Sequence, residues 1–125
     1  MHVGLLRVTL HIPAAHSLKD RRSVVRKAVD RVRARFPVSV AEVGDSDHWQ
    51  RATIAVTMVS GDATLVREVL AKCTAVIATA GDAVITRREV EVLAYSDAES
   101  FGDDDDPLSE RSSEWNDEDG QDQDR

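Results

Sequence analysis

The order in which the hydrophobic period changes along this chain restricts its fold more than any other feature. From Val3 to Ile12 the sequence alternates. Gly4, Leu6, Val8, Leu10 and Ile12 share one apolar face, while Val3, Leu5, Arg7, Thr9 and His11 share a mixed one. That is the pattern of a strand with one side against a core. Pro13 removes a ladder donor and ends it. Ser17 then caps a helix, with Asp20 three residues on as the acidic partner of a capping box. Leu18, Val25, Ala28, Val29, Val32 and Phe36 recur at helical spacing, and Pro37 closes the helix by holding Phe36 extended.

The same two periods then return in a new order. Val38 to Val43 is a short strand rich in β-branched residues. Gly44 to Asp47 supplies turn chemistry, and Trp49 or Arg51 to Ser60 is the hairpin partner. Asp62 opens a second amphipathic helix carrying Leu65, Val66, Val69, Leu70, Cys73, Val76 and Ile77, with Gly81 as the left-handed residue after it. Val84 to Leu93 is the last strand. Strand, helix, strand, strand, helix, strand, with right-handed crossovers, predicts an α+β fold. Two helices lie on one face of a four-stranded antiparallel sheet, the ferredoxin-like βαββαβ arrangement. The other sheet face is left open.

Charge divides the chain in two. Residues 1–96 hold 14 Lys and Arg against 10 Asp and Glu, net +4; residues 97–125 hold 2 against 13, net −11. The first part is the predicted folded domain. The second has too few apolar residues to offset ordering entropy and is expected to be a disordered acidic tail. The single cysteine, Cys73, excludes an internal disulfide and any multi-cysteine metal site, and its place on a helix stripe predicts a buried, inert thiol. The N-terminus has no secretory-signal pattern and no apolar run reaches membrane-spanning length, so a cytoplasmic location without membrane contact is expected.

The stretch from His11 to Arg26, with its Ser-Leu-Lys-Asp-Arg-Arg core at Ser17–Arg22, and the later Val38–Asp45 and Trp49–Arg51 resemble the YlxP-like family. That family is bacterial, has no assigned function and has a ferredoxin-like fold. The resemblance covers about residues 1–95; the tail from Asp97 has no counterpart in it. It implies a small cytoplasmic protein whose genes often lie among those for translation and ribosome maturation. It implies no agreed catalytic residues.

Among the residues themselves, the first helix carries the strongest signal. Between Ser17 and Phe36 stand Lys19, Arg21, Arg22, Arg26, Lys27, Arg31, Arg33 and Arg35 against only Asp20 and Asp30. At about 100° per residue, Lys19, Arg22, Arg26 and Arg33 fall on one flank of the apolar stripe, with Lys27, Arg31 and Arg35 on the other. Solubility does not require such an excess, and Arg22 with Arg26, like Lys27 with Arg31, repel at i, i+4. Lys19, Arg22, Arg26, Lys27, Arg31 and Arg33 are therefore the candidate anion- or RNA-binding residues. The competing explanation is a charged outer face with cations favoured near the helix C-terminus.

Other chemistry is poorly supported. The folded part has only Phe36, Trp49 and Tyr95 as aromatics, none in the middle of the first or third strand, so a base-stacking sheet is not expected. Structured RNA or a ribosomal surface, read by shape and charge, fits better. His11, His16, Asp45, Asp47 and His48 lack the convergence of a metal site, and Ser17, Ser23 and His16 lack an oxyanion-hole signature. No cofactor, small-molecule ligand or enzymatic activity is expected. The alternative to an RNA-associated accessory protein is a dimeric interaction or regulatory module using the open sheet face.

Overall fold

The computed structural model describes residues 1–44 and 48–96. The acidic segment 97–125 and the loop residues Asp45 and Asp47, discussed above, lie outside the described residues. One compact unit spans Met1–Tyr95. Its elements are β1 (His2–His11), α1 (Leu18–Arg35), β2 (Ser39–Val43), β3 (Arg51–Ser60), α2 (Ala63–Ala78) and β4 (Val84–Ala94). All strand pairs are antiparallel, in the order β2-β3-β1-β4. The fold is the ferredoxin-like α+β arrangement, with α1 over β2 and β3 and α2 over β1, β3 and β4.

Alternation on β1 positions both layers. Leu6, Val8 and Leu10 are fully buried beneath the helices, beside Ile54 and Val56 of β3. Val25, Ala28 and Val32 of α1 and Val66, Leu70, Cys73 and Ile77 of α2 close the core from above. Gly4 lets α2 approach β1 closely: a Cβ there would collide with Val66 Cγ1 and lie 2.9 Å from Leu70 Cδ1. The β1–β4 register shifts between Thr9 and Leu10, because Thr9 faces Arg87 while Leu10 faces Ile85. Thr86, the extra residue, turns its hydroxyl to the Thr9 carbonyl at 3.3 Å.

The helix ends follow the local chemistry. The Ser17 hydroxyl accepts from the Asp20 N–H at 3.1 Å. The Asp20 carboxylate accepts from the His16 N–H at 3.0 Å, one residue earlier than a standard capping box would place it. Phe36 is extended and stops α1 ahead of Pro37. Asp62 caps α2, accepting from Thr64 and Leu65 N–H. Gly81 adopts φ +59° in the turn after α2, beneath Val24.

Two features of the α1 and α2 stripes differ from expectation. Leu18 and Leu65, each in a first helical turn, are exposed rather than buried. Arg21 takes the buried place on α1 instead, at 2% exposure, and pairs with Glu42 of β2. Val40 and Glu42 share the helix-facing side of β2, so the strand offers a carboxylate where α1 begins.

Candidate anion-binding surface

The charge surplus of α1 is real, but the structure sorts its members into three groups. Arg21 is withdrawn into the core edge by Glu42 and cannot meet a ligand. Arg31 and Arg33 are tied down at the C-terminal end. Arg31 is half-buried and donates to the Thr79 carbonyl at the end of α2, at 3.2 Å. Arg33 donates to the Val40 carbonyl of β2 at 3.1 Å and lies 3.8 Å from Asp30. Cations in a last helical turn are also favoured by the helix dipole, so these residues have structural work of their own.

Arg35 is exposed in the last turn of the helix. The remaining four, Lys19, Arg22, Arg26 and Lys27, are exposed and form no ion pair with a described carboxylate. Together with Ser23 and Asp30 they line a shallow recess of about 560 Å³ on the outer side of α1. Lys27 joins this group rather than the opposite flank expected from the helical wheel. It stands on the solvent-facing row Lys19–Ser23–Lys27, whose i, i+4 steps run between the flanks. A second recess of about 450 Å³ continues from Arg22 and Arg26 toward Arg33 and the β2 edge. It passes over Glu42, whose charge is already spent on Arg21. Of the six candidates, four are brought together, Arg33 borders them, and Arg31 is set apart.

This arrangement is not explained by helix stability. Lys19 sits in the first turn, where the dipole disfavours a cation, and Arg22 with Arg26 is a like-charged i, i+4 pair costing about 0.2–0.5 kcal/mol. Arg22 and Arg26 offer planar forks suited to phosphate oxygens, and Ser23 adds a hydroxyl donor among them. Sequence reasoning weighed Ser23 only as a nucleophile. Its i, i+4 relation to both lysines was the available signal. Ser17, the other hydroxyl considered for chemistry, is engaged as the helix cap.

Two other titratable groups are set by their surroundings. The Arg7 guanidinium binds Glu89 through two hydrogen bonds of 2.9 Å on the open sheet face. The hydrogen bond from Arg7 holds the Glu89 carboxyl below the usual carboxylate range. Burial pushes the Cys73 thiol up to about 11. Among the described residues no three His, Cys, Asp or Glu side chains converge as a metal-binding group. No helix among them is long and apolar enough to cross a membrane.

The family described as "Protein of unknown function (DUF503)" matches residues 3–90. "Uncharacterized protein YlxP" of Bacillus subtilis (strain 168) is 36% identical over 58 residues, which cover 46% of this chain and 63% of that protein's length. Two solved structures follow a similar chain path. The de novo designed protein Foldit4 has a TM-score of 0.45 at 11% identity, over 76% of this chain and 98% of its own. Rv0793 from Mycobacterium tuberculosis has a TM-score of 0.45 at 19% identity, over 80% of this chain and 100% of its own.

Proposed function

The chain belongs to the DUF503 family, and for this member we propose a non-enzymatic accessory role in the cytoplasm, docking structured RNA or an RNA-covered ribosomal surface through α1. The observation that carries this reading is the cluster Lys19, Arg22, Arg26 and Lys27, exposed around one recess and without an ion pair to any described carboxylate. From Lys19 to Arg33 the helix extends about 21 Å, long enough to follow several successive phosphates of one strand. The contacts are to the backbone, so they fix position and carry little sequence information. Aromatic placement argues for the same class of target. Phe36 packs against the core, while Trp49 and Tyr95 lie outside the strands, so no described aromatic offers a stacking platform on the sheet.

Fluorescence anisotropy with labelled RNA hairpins, and co-sedimentation with ribosomal subunits at low salt, test the proposal on the full chain. The double variant Arg22→Glu/Arg26→Glu is expected to weaken binding by at least about tenfold, since each reversal replaces an attraction with a repulsion. Arg67→Glu/Lys72→Glu on α2, exposed and outside the recess, is the charge-matched control. No binding by the wild-type chain, or equal losses in both variants, would refute the proposal.

A further inference from the structure

We propose that the open sheet face is a homodimer interface, and that its occupant is a second copy of this chain. This goes beyond the α1 reading and does not depend on it. The register fixes which side chains share that face: Val3 beside Val59 and Leu93, Leu5 beside Thr57 and Glu91, and Arg7 beside Ala55 and Glu89. Ala41 and Val43 of β2 extend the row beyond β3. Leu5 is 46% exposed, Val59 59% and Leu93 44%, with Val43 and Val84 also exposed there. Leu5, Val43, Val59, Val84 and Leu93 are thus gathered on one face, while Leu18 and Leu65 stand singly on the helices.

Size, shape and charge then select the occupant. The strands have 10, 5, 10 and 11 residues. At ordinary strand spacing and rise the sheet projects about 550 Å². Two copies therefore cover about 1,100 Å² before the relief of the side chains is added, close to the lower bound for a stable interface. A trough of about 550 Å³ crosses the face, lined by Leu5, Arg7, Val43, Ala55, Glu89 and Glu91 among others. A two-fold copy presents the same trough and the same apolar side chains around it, Leu5 and Val43 among them, as an isologous contact requires.

The charges also favour a copy of the same chain. Arg7 reaches this face already held by both oxygens of Glu89, so covering the pair strands neither charge. Glu89 and Glu91 oppose a polyanion here, whereas the cation surplus of α1 opposes self-association on the helix side. Sheet faces pack well against one another in this way, about 10 Å apart.

Sedimentation equilibrium of the full chain over a concentration series tests the proposal. The expected mass is about twice the chain's 13.8 kDa. Leu5→Asp is expected to raise the dissociation constant at least about 100-fold, because a two-fold interface would bury two unpaired carboxylates. Its far-UV circular dichroism should stay unchanged, since Leu5 lies outside the core. Val59→Asp is a second, more exposed variant that keeps the test open if Leu5→Asp fails to fold. A wild-type chain that remains at 13.8 kDa up to its solubility limit overturns the proposal. So does a dimer that neither substitution weakens, or a monomer whose sheet face captures a different protein.

Discussion

Replacing Glu42 by Gln should destabilise the domain far more than an ordinary change at a strand end. Arg21 is 2% exposed, and its one ion-pair partner among the described residues is Glu42, whose side chain is 29% exposed. The Arg21 Nε–H is buried and has no hydrogen-bond acceptor among the described residues. Removing the carboxylate leaves a buried guanidinium charge without its counter-ion. A fully buried pair broken from one side costs about 3–5 kcal/mol; the partial exposure of Glu42 lets water recover some of this, so about 2–4 kcal/mol is expected. For a domain of this size that lowers the melting temperature by roughly 10–25 °C. The double variant Arg21→Met/Glu42→Leu should recover most of the loss, since it removes both charges and the orphaned Nε–H together. Urea unfolding of wild type, Arg21→Met, Glu42→Leu and the double variant, followed by circular dichroism, gives the coupling energy directly. The reasoning fails if Glu42→Gln costs less than about 1 kcal/mol, or if the double variant falls as far as the two single losses combined.

Gly4→Ala should cost about 1–3 kcal/mol, because the added methyl meets Val66 and Leu70 where α2 crosses β1; an unchanged urea midpoint would contradict that contact. Cys73 should resist a thiol reagent in the native state at mildly alkaline pH and react only on unfolding, as its thiol is raised to about 11 by burial. The sign for stability follows: a raised thiol pKa favours the fold below the ordinary thiol range, and that contribution is lost as pH rises from there toward about 11. Equal reaction rates with and without urea would refute burial of the thiol. Deleting residues 97–125 changes the net charge from −7 to +4, which should tighten RNA binding most at low salt; unchanged affinity in a gel-shift titration would count against a charge-driven interaction.

The fold was legible because periodicity changes at each element and every change carries a stop signal. Pro13, Ser17, Pro37, Asp62 and Gly81 mark boundaries that the backbone respects to within a residue or two. The Arg7–Glu89 pairing was also within reach, since the strand order sets the outer register. Arg21 was not. An arginine on a basic helix reads as surface, and its burial depends on a carboxylate 21 positions away. The available signals were its i+3 and i−4 relation to Leu18 and Val25, and the place of Glu42 on the same side of β2 as Val40. The candidate surface was half legible for the same reason. A helical wheel gives the direction of a side chain but not what waits there: Thr79 for Arg31, Val40 and Asp30 for Arg33, and solvent for Lys19, Arg22, Arg26 and Lys27.

The salt dependence of RNA binding is the most direct test of the α1 surface. If the four exposed cations of the recess each neutralise a phosphate, a plot of log K against log salt should have a slope of roughly −3 to −4. Arg26→Ala should reduce the magnitude of that slope by about one, and Arg31→Ala should leave it unchanged. A slope near zero, or one that Arg26→Ala and Arg31→Ala alter equally, would contradict an anion surface built from Lys19, Arg22, Arg26 and Lys27.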